Sequence, residues 1–427
     1  MRIAIIAMGS RGDVQPYVAL GKGLKAAGHS VRLATHENFE SLVTSHGLAF
    51  YPLKGNVQAF LEDPKNRQLL ESRNFLKINA RTAVAYQRAA IDWAKGGVVA
   101  CQDADLIVAG VGGLFLSVAL AEKLNLPLLQ AYIFPFTPTT AFPAILFPQA
   151  ISKLGGAVNR LSHQLFRQIM WQGSRKGDTL ARQQVLHLPP TPFFGNYGAV
   201  QFQQYPILYG LSPSVIAKPS DWQNTHVTGY WFLEEAPDWT PPAAVLEFLQ
   251  KGAPPVFIGF GSMVSRNPEE TADLVLQAIQ LTGQRAILQS GWSGLSKSDL
   301  PDTVLMVDSI PHSWLFPRVA AVVHHGGAGT TAAGLRAGVP AVVIPFFGDQ
   351  PFWGQRVAEL GVGTASIPRN QLTAERLAAA IHQAVGDRAM GQRAADLGAK
   401  IQAEAGVANA VEIISELPYA TPANMAS

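Results

Sequence analysis

A strand that runs into a glycine-rich turn and then a helix constrains this chain more than any other feature, and it lies at residues 321–344. Ala321-Val322-Val323 leads into His324-His325, Gly326, Gly327 and Gly329, then Thr330, Thr331 and an Ala/Leu-rich segment closed by Gly338. The free N–H groups and positive end of such a helix face whatever lies above the carboxyl edge of the sheet, which is a phosphate-binding arrangement. The next strand, Ala341 to Ile344, ends at Pro345, and its loop carries Asp349 and Gln350, an acceptor and an amide able to hold neighbouring hydroxyls. Phosphate on one loop and hydroxyls on the next point to a sugar nucleotide.

The chain has 427 residues, more than one core usually serves, so two domains are expected. Strand and helix signals alternate through both halves, which implies parallel sheets with helices on both faces. In the first half the strands are expected at 2–8, 31–35, 105–110 and 127–132, with a helix opening near Pro16 and helical insertions at about 56–99 and 157–186. In the second insertion Val158, Leu161, Leu165, Phe166, Ile169 and Met170 form a wide apolar face. An acidic, proline-rich stretch after Leu233 reads as a linker at 234–243. It separates an N-terminal domain, 1–233, from a C-terminal one, 244–395, whose strands are expected at 255–261, 285–289, 304–308, 320–324 and 340–344. A helical stretch from about Asp387 to Leu417 closes the chain, and 396–427 is set apart as a C-terminal helix and tail.

Composition removes several classes. The net charge of +3 is small and scattered, with no basic stripe interleaved with aromatics, so nucleic acid is not an expected partner. Cys101 is the one cysteine, which excludes an internal disulfide and a cysteine metal cluster. Ile3 to Met8 is too short for a signal peptide and reads as a buried strand. The apolar tract from Ala131 to Pro148 holds Pro135, Pro138, Pro143 and Pro148, which forbid a membrane-spanning helix. The expectation is a soluble, cytoplasmic protein with at most peripheral contact at the inner membrane face.

Gly9-Ser10-Arg11-Gly12-Asp13-Val14-Gln15-Pro16 follows the first strand, so Asp13 sits at the carboxyl edge of the sheet near a helix start. Two readings stay open from the residues alone: a capping carboxylate and a catalytic one. A dinucleotide fingerprint is excluded, because the glycines are spaced G-x-x-G and no acid ends the second strand. No GK[ST] P-loop occurs. Asp103-Ala104-Asp105 has the look of a metal-binding D-x-D but reads as a solvated strand start. The His324-His325 pair lacks a nearby third ligand, and adjacent strand residues point to opposite faces, so no metal is expected there. One His is expected in the core and His325 at the ligand.

These segments resemble the nucleotide-sugar glycosyltransferases of the GT-B fold, α/β enzymes with two Rossmann-like parallel-sheet domains facing a central cleft. The likeness is greatest to the branch of sterol 3-β-glucosyltransferases and of glycopeptide and macrolide glycosyltransferases, and it is strongest at 9–16 and 304–360. The resemblance implies that Asp13 is the general base, in the place of the His that plant and cell-wall relatives carry. It implies donor binding by Gly261, Ser262, Ile310, His312, His325, Gly327, Gly329, Thr330, Asp349 and Gln350, with Ile310 and His312 in the base-binding loop. The acidic residue many relatives use for the ribose falls on Ala333. Phe134 and Phe136 fall in acceptor-pocket sequence, and the last helix of such proteins packs back on the first domain.

The expected activity is inverting transfer of glucose from UDP-glucose to the hydroxyl of a hydrophobic acceptor such as a sterol or triterpenoid. No metal or cofactor is expected beyond the UDP-sugar co-substrate. Two alternatives stay open: an antibiotic, macrolide or glycolipid acceptor with another nucleotide sugar, and a catalytically silent lipid-binding relative.

Overall fold

The computed structural model describes the chain except residues 57–62, 64, 65, 67, 68, 70–74, 196, 198–204, 236–238, 261–267, 290–299 and 419–427. The described residues pack as two compact units. The first comprises Met1–Val57, Phe75–Leu233 and Glu404–Ser427, and the second is centred on Glu234–Ala403.

The first unit is built on β1 (Arg2–Ile6), β2 (Ser30–His36), β3 (Ala49–Leu53), β4 (Leu106–Ala109), β5 (Leu128–Tyr132), β6 (Ile207–Tyr209) and β7 (Thr225–Val227). They form a parallel sheet in the order β3-β2-β1-β4-β5-β6-β7. Strands β1, β4 and β5 have almost no exposed residue, as expected where helices cover both faces of a parallel sheet. The second unit holds β8 (Val256–Gly259), β9 (Ala286–Gln289), β10 (Val304–Val307), β11 (Ala321–His324) and β12 (Ala341–Val343). Its parallel order is β10-β9-β8-β11-β12. Each sheet therefore reverses its winding at one place, between β1 and β4 in the first unit and between β8 and β11 in the second. In open α/β sheets ligands bind at the carboxyl ends of the strands flanking such a switch point. The loops after β1 and β11 are the two that carry Asp13 and His325.

Helix α1 (Arg11–Ala26) begins five residues before Pro16, so the proline lies inside the helix rather than at its first position. Ser10 and Asp13 cap the earlier start, and the proline leaves the Gly12 carbonyl without its helical partner. In the two insertions α2 (Phe75–Cys101) packs along α4 (Gly156–Ala181), while α3 (Leu114–Leu124) follows β4. The expected apolar face of α4 is split. Phe166 is buried, but Leu161 and Leu165 are exposed, and the inward side carries Asn159, Ser162 and His163.

The second unit adds α5 (Ala328–Ala337), α6 (Gln350–Glu359) and α7 (Arg388–Ala403), and α8 (Gly406–Ser415) rejoins the first unit. The closing helical stretch is thus two helices. The break sits where Gly406 meets Gly229 backbone to backbone: a Cβ on Gly229, whose φ is 105°, would lie 2.9 Å from Gly406 Cα. Asn409 Nδ2 then donates to the Thr228 carbonyl at 2.8 Å, and α8 packs on α1.

Candidate functional site

In the first unit the loop after β1 is shaped around one carboxylate. Ser10, extended at φ −77° and ψ 177°, is the N-cap of α1 and Asp13 is its N3 residue. Asp13 Oδ2 accepts from the Ser10 N–H at 2.8 Å and from the Ser10 hydroxyl at 2.8 Å. Gly9 makes this possible: its φ of 141° favours glycine, and a Cβ there would overlap Asp13 Oδ2. Oδ2 is thereby fixed, whereas among the described residues no donor reaches Oδ1. Asp13 is half-buried, and burial outweighs the two Ser10 hydrogen bonds, so its carboxyl titrates above its ordinary value. The capping reading is thus seen directly: one carboxylate oxygen caps the helix start, and the other keeps no donor among the described residues.

The walls of this loop come from residues the motif did not single out. Tyr17, one turn further along α1, is buried, and its hydroxyl donates to the Ala131 carbonyl at 2.5 Å. Burial, reinforced by the Asp13 charge, pushes that hydroxyl far up, so it stays protonated. On the other side of the switch point the loop after β4 presses close, since a Cβ on Gly110 would lie 2.6 Å from the Tyr17 hydroxyl. A Cβ on Gly112 would overlap the Met8 carbonyl. Sequence reasoning missed Ser10, Tyr17 and these glycines, although Ser-x-x-Asp is a readable capping-box spacing. Asp103-Ala104-Asp105 lies at the opposite, amino end of β4, where Asp105 pairs with Arg2 at 2.7 Å.

The two phenylalanines of the aromatic tract differ. Phe136 is 2% exposed and packs against Tyr132 and Phe166, with the Arg167 guanidinium 5.7 Å from its ring. Phe134 is only partly buried, against the core under β1. The loop is held by Tyr209, whose hydroxyl accepts from the Phe136 and Thr137 N–H groups at 3.1 and 2.8 Å.

In the second unit Gly327 is the N-cap of α5. The first helical bond runs from the Thr331 N–H to the Gly327 carbonyl at 2.9 Å, and the Thr331 hydroxyl accompanies it. The N–H groups of Ala328, Gly329 and Thr330 precede that bond and have no acceptor among the described residues. His325 stands beside them: a Cβ on Gly327 would overlap His325 Nε2. Burial lowers His325 to about 4, so its ring is neutral at neutral pH and can offer a hydrogen bond, not a charge. Its Nδ1 is buried with no hydrogen-bond partner among the described residues. His324 is fully buried, accepts from the Gly326 N–H at its Nδ1 at 3.1 Å, and is lowered to about 3 chiefly by burial.

The loop after β12 adjoins this helix start, because a Cβ on Gly326 would lie 3.0 Å from the Gln350 carbonyl. Gln350 is buried, and its Oε1 accepts from the Phe346 and Phe347 N–H groups at 2.7 and 3.2 Å, bracing the loop from inside. Asp349 caps α6, and its Oδ2 accepts from Trp353 Nε1 at 2.7 Å. After β10, the Ile310 side chain is core, while His312 stacks on Phe316 at 4.3 Å with Nε2 3.3 Å from Gln289 Oε1. The second unit thus gathers His325, Gly327, Gly329, Thr330 and Gln350 at one sheet edge, with His312 on a neighbouring loop. Ala333, one turn beyond Gly329, packs on the apolar cluster that includes Trp314. Gly261 and Ser262 lie outside the described residues. Among the described residues no group of three or more His, Cys, Asp or Glu side chains could hold a metal ion.

Comparison with known proteins agrees with this arrangement. Residues 3–143 match the glycosyltransferase family 28 N-terminal domain, and residues 274–417 match the C-terminal domain of the erythromycin biosynthesis protein CIII-like family. A sterol 3-beta-glucosyltransferase of Arabidopsis thaliana is 38% identical, over 98% of this chain and 66% of its own length. One of Emericella nidulans is also 38% identical, over 99% of this chain and 30% of its own length, so the chain spans only part of these relatives. Among solved structures, the glycosyltransferase of kitacinnamycin superposes with a TM-score of 0.67 at 20% identity, covering 98% of this chain and 99% of its own. SsfS6 of Streptomyces sp. SF2575, solved with thymidine diphosphate, gives 0.62 at 21% identity, covering 98% and 100%. Kinship across nearly the whole of this chain and the shared two-sheet fold lead to one conclusion: the chain belongs to the GT-B nucleotide-sugar glycosyltransferases, in the branch that holds the sterol 3-beta-glucosyltransferases.

Proposed function

We propose that this chain transfers glucose from UDP-glucose to the hydroxyl of a sterol or related polycyclic lipid, with inversion at the anomeric carbon. The observation that carries this reading is the 38% identity to sterol 3-beta-glucosyltransferases across 98% of the chain. In it residues 1–233 serve the acceptor, 234–243 link, 244–395 bind the donor, and 396–427 return to the first domain.

The diphosphate would be met by the free N–H groups of Ala328, Gly329 and Thr330, the positive end of α5 and a hydrogen bond from neutral His325. Negative charge grows on the leaving nucleotide during transfer, so donors already aimed at it lower the barrier most. Asp13 Oδ1 would take the acceptor proton. A carboxylate cannot ionise an alcohol in advance, so proton transfer accompanies a late displacement, and an upward-shifted carboxyl is the better base for it. Asp349 would hold sugar hydroxyls, whereas Gln350, with its side-chain oxygen committed to the loop, would act mainly by shaping that loop. The residues at hand can meet the leaving charge without a metal. Phe134, partly exposed beside the β1 core, would line the acceptor site, with Phe136 as its support. We place the enzyme in the cytoplasm, drawing its acceptor from a membrane face.

The test is direct. UDP-glucose, UDP-N-acetylglucosamine, TDP-glucose and GDP-mannose are each offered with a mixed panel of sterols and polyketides, and products are read by mass spectrometry. A hexose added to sterols from UDP-glucose is expected. Transfer only to polyketides or glycolipids would replace the acceptor assignment, and no transfer together with no donor hydrolysis would favour a silent relative.

A further inference from the structure

Helix α4 buries Phe166 and Trp171, but its first turns are not arranged as in a helix that serves only its own core. They bury Asn159, Ser162 and His163 and leave Leu161 and Leu165 52% and 46% exposed. Helices of water-soluble units normally do the reverse. The His163 ring is held inside by the Phe142 carbonyl at 3.0 Å, and Asn159 by that of Thr140 at 2.9 Å, so the orientation is fixed by hydrogen bonds.

Leu161 and Leu165 do not stand alone. Leu154, just before the helix, is 69% exposed. On the same face of α4, Gln168 and Gln172 donate to the Phe193 carbonyl at 3.2 and 2.7 Å and so seat a loop tip on the helix. Phe193 and Phe194, 53% and 75% exposed, meet edge to face at that tip. Five large apolar side chains therefore lie along one exposed ridge.

The stretch of sequence that carries them is rich in one sign of charge. Between Glu122 and Asp221 the sequence holds Lys123, Lys153, Arg160, Arg167, Arg175, Lys176, Arg182 and Lys218 against a single carboxylate, Asp178. Asp178 is buried and accepts from the Thr191 hydroxyl at 2.9 Å. Lys153 and Arg160 are exposed beside the leucines, and the Arg175 guanidinium lies 5.1 Å from the Phe193 ring. Asp221, which approaches the start of α4 through Thr139 and Thr140, is held by both hydroxyls and the Thr140 N–H. Exposed leucines and phenylalanines fringed by lysine and arginine match the boundary between acyl chains and anionic headgroups.

We propose that the ridge of Leu154, Leu161, Leu165, Phe193 and Phe194 is a peripheral docking surface for an anionic lipid bilayer. It deepens the reading that the acceptor is a membrane lipid and rests on that reading for its purpose, not for its geometry. Docking would bring the acceptor-serving unit to the bilayer in which such an acceptor is dissolved. Among the described residues no helix is long and apolar enough to cross a membrane, so attachment through this surface would be reversible.

The experiment is co-sedimentation of the full chain with vesicles of phosphatidylcholine alone and of phosphatidylcholine mixed with phosphatidylserine, at low and high salt. Wild type is expected to pellet with the mixed vesicles and to be released by salt. The variant Leu161→Ser/Leu165→Ser/Phe193→Ser/Phe194→Ser and the variant Lys153→Glu/Arg160→Glu should each lose about tenfold or more in partitioning, because both apolar insertion and charge contribute. Since all six side chains are exposed, unchanged melting temperatures should accompany the loss. Wild type that ignores both vesicle types, or variants that partition like wild type, would overturn the proposal. So would a concentration-dependent dimer in sedimentation velocity that the first variant abolishes, because the ridge would then join copies of the chain. Wild-type turnover of detergent-dispersed sterol separates the two readings: turnover without vesicle binding removes the docking surface alone, and vesicle binding without turnover removes the sterol reading alone.

Discussion

Replacing Asp13 by Asn separates the helix-capping duty seen in the structure from the catalytic duty proposed for this side chain. The change is nearly isosteric, and the amide oxygen can still accept from the Ser10 N–H and hydroxyl, now as a neutral acceptor. Bonds to a charged group contribute about 1.5–3 kcal/mol and neutral ones about 0.5–1.5, so two bonds lose roughly 2 kcal/mol together. The positive helix end loses a further ~0.3–1 kcal/mol of attraction. Burial outweighs the two bonds in raising the carboxyl, so relief from burying a charge offsets these losses and the net change should stay within about 1 kcal/mol, at most a few degrees in melting temperature. The catalytic loss should be far larger, about 10²–10⁴-fold in kcat at saturating donor, since no proton acceptor remains. UDP binding should not change. The pH dependence adds a second check with a definite sign. Burial raises the Asp13 carboxyl, so the acidic limb of wild-type kcat/KM should lie above the ordinary aspartate value of about 4. Through this residue, wild-type stability should fall as pH rises from the ordinary value of about 4 up through the raised one and then level off, a slope that Asp13→Asn removes. Folded Asp13→Asn with activity within about threefold of wild type would refute the assignment of Asp13 as base.

Other substitutions test the second unit and the aromatic tract. Calorimetry with UDP should find weaker binding in His325→Ala and near-normal binding in His324→Ala, whose main effect should be a stability loss of about 2–4 kcal/mol from a cavity and an orphaned Gly326 N–H; equal UDP affinity in His325→Ala and wild type would remove His325 from the donor site. Both rings are lowered by burial, to about 3 and about 4, so they should favour the fold above the ordinary His value of about 6.5 and lose that contribution as pH falls toward 4, seen as falling stability in acid melts. Phe136→Ser should destabilise by about 3–5 kcal/mol, as removal of an enclosed ring does, whereas Phe134→Ser should chiefly raise the acceptor KM, and the reverse pattern would show the two roles exchanged. Treatment with EDTA should leave turnover unchanged; loss of activity restored by Mg²⁺ or Mn²⁺ would show that a divalent ion, not helix N–H groups, meets the leaving charge.

What the sequence made legible follows from which forces act locally. The strands at 2–6, 106–109, 128–132, 256–259 and 321–324 are largely apolar runs, broken only by Arg2, Gln130 and His324 and closed by glycine or a loop, and their burial on both faces leaves such runs plain to see. Ala49–Leu53 was not legible, because Pro52 speaks against a strand and is tolerated only since this strand lies at the sheet edge. The three-residue strands at Ile207 and Thr225 are too short for any period to show. The glycine turns and the helix start at Gly327 could be read from composition, because special backbone conformations demand special residues. The burial of Phe136 and the outward leucines of α4 could not, because each is decided by partners 19 or more residues away, and the inward turn of Gln350 could not, because it depends on how the Phe346–Phe347 backbone folds around it.

The proposed transfer is a direct displacement at the anomeric carbon, with a sterol hydroxyl as nucleophile. Proton NMR of the first product formed from UDP-glucose and a sterol, recorded before any equilibration, reads its stereochemical outcome. UDP-glucose carries an α linkage, so one displacement from the opposite face predicts a β-glucoside at the sterol hydroxyl. An α-glucoside as first product would mean two displacements or a front-face route and would contradict the claim.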